Sequence, residues 1–119
     1  MELIAITPEG TTASPIGQLP DFARDVMKSA AEMYHKAGYQ PPWTGYLAVD
    51  SAGCVGACAF KTPPVDGRVE IAYLTFPGNE GRGIATAMAK ALLGLAKRAS
   101  PMIRIYAQTL PQPGASTRV

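Results

Sequence analysis

Long hydrophobic runs are missing from this chain. A membrane-spanning helix needs roughly 20 consecutive apolar residues, and every long apolar stretch here is broken by Gly, Pro, Lys or Asp. The opening Met1-Glu2-Leu3-Ile4-Ala5-Ile6 has no basic segment leading into a long apolar core, so it does not read as a secretory signal. The cytoplasm is the predicted address, and no membrane partner is predicted. Charge of one sign is scarce as well. Eleven Lys and Arg face nine Asp and Glu, a formal charge of +2. That balance is too even to propose a nucleic-acid groove. Two cysteines are too few for a disulfide scaffold, and reduced thiols are expected at Cys54 and Cys58. The single histidine, His35, has no ligand partners spaced near it, so a surface position is predicted rather than a metal site.

What remains is a globular composition: 47% hydrophobic and 17% charged residues. The 119 residues amount to one domain, spanning 1–119. Twelve glycines and eleven prolines cluster between periodic segments, which predicts short elements and sharp turns. Residues 1–7 read as a strand and 8–18 as a loop. From Pro20 the pattern is helical, with Phe22, Val26, Ala30, Met33 and Ala37 as the apolar face and Gly38 as the stop. Residues 46–50 and 54–61 flank the turn Asp50-Ser51-Ala52-Gly53 and predict a hairpin. Residues 69–76 form the strongest strand, with Val69, Ile71, Tyr73 and Thr75 on one face. A glycine-rich loop leads to a second helix over 84–98, whose apolar seam is Ile84, Met88, Leu92 and Leu95. Residues 102–109 predict a further strand. Cys54 and Cys58 share a strand face at spacing four. They cannot bridge, because roughly 13 Å separates such positions in an extended strand, and buried inert thiols are expected.

The informative segment is Thr75-Phe76-Pro77-Gly78-Asn79-Glu80-Gly81-Arg82-Gly83-Ile84-Ala85-Thr86, which joins a strand to an amphipathic helix. A helix start presents backbone N–H groups without intrahelical partners, and the dipole adds partial positive charge. Glycines at 81 and 83 allow the backbone to approach a phosphate, and Arg82 adds charge. The plainer alternative is a tight strand–helix turn. No Gly-Lys-Ser/Thr follows, so the segment is not a P-loop. A dinucleotide fingerprint needs a third glycine where Thr86 stands and an acidic residue roughly 20 positions on, and neither is present.

The loop resembles the acyl-CoA signature of the GNAT superfamily of N-acetyltransferases, Arg/Gln-x-x-Gly-x-Gly/Ala. Here it is Glu80-Gly81-Arg82-Gly83-Ile84-Ala85, approached by Phe76-Pro77, with Glu80 in place of the usual first residue. The order strand, helix, hairpin, long strand, loop, helix, strand agrees with that family. In the tail, Ser116 matches a family serine, and Pro113 stands where Asn is common.

The resemblance implies an α/β (α+β) fold with a mixed, mostly antiparallel central sheet flanked by helices. It implies transfer of an acetyl group from acetyl-CoA to a primary amine, either a protein N-terminus or a small amine, by direct attack. The pantetheine arm would pair with Tyr73, Leu74 and Thr75. The pyrophosphate would rest on the Gly81, Arg82, Gly83, Ile84 and Ala85 loop, with Ser116 close to the cofactor. The oxyanion would be met by a backbone N–H of the same strand. Glu70 is the candidate base, because the amine must lose a proton to attack. Its alternative is a minor surface pair with Arg68. No metal is implied. Measured against the family domain, the chain stops after the fifth strand, without a C-terminal helix and two last strands. A shortened chain, a shortened gene and a homodimer covering the strand edge are all compatible with that. Trp43 either lines the acceptor site or covers the hairpin. A non-catalytic acyl-CoA-binding or regulatory module is the alternative function, and a nucleotide-binding domain is the third.

Overall fold

The computed structural model describes residues 1–107. The elements are β1 (Glu2–Ala5), α1 (Asp21–Ala37), β2 (Gly45–Asp50), β3 (Gly53–Phe60), β4 (Arg68–Thr75), α2 (Ile84–Ala99) and β5 (Arg104–Ala107). They build one mixed sheet in the order β1-β2-β3-β4-β5. The first four strands are antiparallel neighbours, and β4 and β5 are parallel. Parallel strands need a crossover, and α2 supplies it. The expected fold class and element order are therefore the observed ones, with boundaries displaced by a few residues.

The helices cover opposite faces of the sheet. On one face Val55, Cys58, Phe60, Val69 and Ile71 pack against Ile84, Met88, Ala89, Leu92 and Ala96 of α2. These are the apolar seam and strand face read from the period, as expected. Gly56 is required here: a Cβ would stand 2.7 Å from Leu74 O and 3.0 Å from Met88 Sδ. On the other face Ile6, Leu47, Ala57 and Phe76 meet α1.

The structure corrects the expected face of α1. Ala23 is its one fully buried residue, flanked by Val26, Met27, Ala30 and Tyr34, whereas Phe22 and Met33 are exposed. The cause is Tyr34. Its hydroxyl donates to Ile6 O at 2.9 Å and accepts the Gly45 N–H at 2.9 Å, which turns the tyrosine rather than Met33 toward the sheet.

The cysteines are a second correction. Ala48 pairs with Gly56 but Val49 pairs with Cys54, so Val55 is an extra residue in β3. Such a bulge reverses the alternation of faces. Cys58 joins the α2-side core and Cys54 packs on the α1 side. Cys58 is buried as expected, and Cys54 is half-buried.

Candidate functional site

The glycine loop is an open turn between β4 and α2. Phe76 is buried and anchors its start, with its N–H donating to Val55 O at 2.9 Å. Gly78, Gly81 and Gly83 all have positive φ, at 90°, 78° and 73°. No atom lies within 4 Å of where a Cβ would stand on any of the three. Gly83 is the N-cap of α2, in the left-handed region and with no side-chain cap. The first intrahelical bond is Ala87 N–H to Gly83 O at 3.0 Å. The N–H groups of Gly83, Ile84, Ala85 and Thr86 thus have no hydrogen-bond partner among the described residues. The Ile84 side chain is buried in the α2-side core, so this residue offers its backbone alone.

The loop's charged side chains are engaged. Glu80, the departure from the signature, accepts the Gly78 N–H on Oε1 at 2.8 Å. Arg82 donates from Nη1 to Asn79 Oδ1 at 2.9 Å and from Nη2 to Asp50 Oδ2 at 3.1 Å. Asp50 holds the β2–β3 turn through its other oxygen, which accepts the Ala52 N–H at 2.8 Å. Arg82 therefore ties the loop to that turn. Asp50 and Asn79 were not singled out from the sequence, since nothing local joins residue 50 to residue 82.

Among the described residues, the β4 edge next to the loop is paired only over its first half. β5 pairs with β4 at residues 68–71, leaving 72–75 beyond the paired stretch among the described residues. Backbone groups alternate between the two edges of a strand. Glu70 O accepts the Lys61 N–H and Phe76 N–H reaches Val55 O, so even-numbered residues face β3. Tyr73 and Thr75 consequently turn their N–H and C=O groups to the open edge. Leu74 turns its backbone to β3, opposite Ala57, and its half-exposed side chain to the α1 face. The three residues expected to act as one stretch divide into two edge-facing residues and one wall residue. Tyr73 packs beside the α2-side core, and burial raises its phenol above the ordinary value.

Glu70 lies on the α1-side face of β4 with a side chain only 16% exposed. Its Oε2 is 3.3 Å from Lys61 Nζ, and the angles at that contact do not make a hydrogen bond. The pair is ionic contact without directional bonding. Arg68, considered from sequence as the partner, instead stacks over the Tyr106 ring at 5.1 Å. Glu70, Lys61, Arg68 and Tyr106 line an opening of about 400 Å³. Lys61 was missed in the sequence, although the hairpin register that places it opposite Glu70 could have found it.

A second cavity of about 400 Å³ lies between α1 and strands β3 and β4, away from the glycine loop. Met33, Lys61 and Thr62 border both openings. Trp43 meets the Phe60 ring edge-on at 5.0 Å, covering the hairpin, and it also lines this cavity. His35 is exposed, as expected. Ser116 and the tail motif fall outside the described residues. Among the described residues no helix is long and apolar enough to cross a membrane.

A family model described as "Acetyltransferase (GNAT) domain" matches residues 5–119. Searches of curated proteins and of solved structures each returned no match.

Proposed function

This chain belongs to the GNAT acetyltransferase family, and we propose that it transfers an acetyl group from acetyl-CoA to a primary amine by direct attack. The observation that carries the proposal is the pairing of two backbone surfaces that have no partners among the described residues. The unpartnered N–H groups at the start of α2 stand just beyond the open edge of β4. The first suits a pyrophosphate, and the second suits an amide-bearing arm added along a strand edge.

In this reading Gly81, Arg82, Gly83, Ile84 and Ala85 hold the pyrophosphate through backbone N–H groups. The Arg82 side chain stays with Asp50 and Asn79. Tyr73 and Thr75 pair with the pantetheine amides, and Leu74 contributes apolar wall. Acetyl-CoA would supply a thioester carbon open to attack. The protein's own task is to orient the amine and accept its proton. Glu70 is the carboxylate on the α1 side of β4 with an oxygen that lacks a hydrogen bond, and it takes that role directly or through one water.

The test is a thermal melt of the purified chain with acetyl-CoA, ATP and NAD in parallel, followed by an assay of CoA release with amines. A saturable rise in Tm with acetyl-CoA alone, and amine-dependent release of CoA, are expected. A rise without release from any amine would mean an acyl-CoA-binding module. No rise would sink the reading.

A further inference from the structure

A groove of about 400 Å³, open to solvent, separates the C-terminal half of α1 from its sheet. The floor explains it. Gly45, Ala57, Ala59 and Ala72 are all small, and α1 fully buries only Ala23 above them. Trp43 and Tyr34 form aromatic walls. The Tyr34 hydroxyl is spent on Ile6 and Gly45, so that wall offers no free polar group.

The charge around the groove is selective. Asp25 and Lys61 are its charged lining residues, and Lys61 is already paired with Glu70. Among the described residues, a carboxylate-bearing ligand would find no uncommitted cation in the lining. An ammonium group would find Asp25; in the adjoining opening Asp66 and Glu70 stand with Lys61, paired to Glu70, and Arg68, stacked on Tyr106. Ala72 and Leu74 of the groove share the face of β4 that carries Glu70, so an apolar body in the groove can direct its amine along that face.

We propose that this groove is the acceptor pocket, and that the acceptor is a primary amine with a compact apolar body and no carboxylate. The inference rests on the acetyltransferase reading above. A volume of this size matches a small-molecule pocket, with room for an aromatic ring and a short chain.

Trp43 is the sole tryptophan of the chain and lines the groove, so its fluorescence reports occupancy without any reaction. The full chain is titrated with 2-phenylethylamine and with glycine, in the absence of acetyl-CoA. A saturable fluorescence change is expected with the first and none with the second. Ala59→Leu fills the floor and should abolish the response while the acetyl-CoA melting shift persists. Met33→Lys, at a rim position 44% exposed, keeps the core intact and should weaken the response by adding a cation. In the CoA-release assay 2-phenylethylamine should exceed glycine in kcat/KM by roughly tenfold or more, the scale of burying a ring. An acetyl-CoA shift with no response to 2-phenylethylamine, or glycine as the better acceptor, overturns the groove proposal alone. Absence of both the acetyl-CoA shift and CoA release overturns it together with the acetyltransferase reading.

Discussion

Lys61 and Glu70 are joined twice across the β3–β4 pair: the Lys61 N–H donates to Glu70 O at 2.9 Å, and Lys61 Nζ stands 3.3 Å from Glu70 Oε2. The backbone bond fixes the register, and the register brings the ammonium to the carboxylate. The ion pair leaves Glu70 Oε2 without a hydrogen bond, so that oxygen is open to accept a proton while Lys61 stays in place. Glu70→Gln keeps the shape and removes the basicity. CoA release with amine should fall by about a hundredfold or more, the usual scale for a general base. The acetyl-CoA melting shift should be unchanged, since Glu70 is remote from the glycine loop. A variant that keeps full turnover would return Glu70 to a structural ion pair.

Gly83 separates folding from ligand binding. Its φ is 73°, and a Cβ there would meet nothing within 4 Å. Gly83→Ala therefore adds left-handed strain of about 1–2 kcal/mol without a clash. The same methyl would project into the space a phosphate needs. A modest drop in Tm is expected together with loss of most of the acetyl-CoA shift. If calorimetry finds acetyl-CoA binding intact in the variant, the loop is only a turn.

Asp50 tempers the charge of that loop. Its Oδ2 accepts from Arg82 at 3.1 Å, with the Arg82 side chain 44% and the Asp50 side chain 20% exposed, and ion pairs this close to solvent add about 1 kcal/mol to stability. Asp50→Asn leaves an oxygen for the turn and removes the negative charge beside the loop. Acetyl-CoA should bind more tightly, by roughly fivefold at most at low salt, and the gain should shrink as salt rises. Weaker binding at every ionic strength would instead mean that the ion pair holds the loop in its binding shape.

These relationships mark where sequence reading stopped. Periodicity placed α2 and β4, because the positions they bury against each other, Val69 and Ile71 on the strand and Ile84, Met88, Leu92 and Ala96 on the helix, are all apolar. It placed α1 as well but misread its buried face, because two apolar stripes compete on that helix. The choice between them is made by the Tyr34 hydroxyl reaching Ile6 and Gly45, a contact far away in sequence. The bulge at Val55 was equally hidden, since one extra residue in a strand leaves the composition unchanged while turning Cys54 to the other face. The glycine loop was legible because its chemistry is local. The Asp50 partner of Arg82 and the Lys61 partner of Glu70 were not, because they arrive from the end of β2 and from just beyond β3.

Cys58 gives a pH-dependent test of the core. It is 4% exposed, and burial pushes its thiol from 9.0 up to about 12. Burial also raises Cys54, with the Gly56 backbone opposing, but that thiol is only half-buried. Thiolate is the reactive form, so iodoacetamide at roughly pH 8 should alkylate Cys54 first and reach Cys58 only through unfolding. Unfolding returns Cys58 to its ordinary value, so between 9.0 and about 12 the unfolded chain holds fewer protons than the folded one. The stability contributed by the protonated thiol is complete below that window and is lost as pH rises through it. Mass spectrometry of alkylation rates, together with melts of wild type and Cys58→Ala across that window, measures both effects. Cys58→Ala should lose less stability as pH rises. Equal alkylation rates for the two thiols, or identical pH slopes for the two proteins, would show that the α2-side core admits water at Cys58.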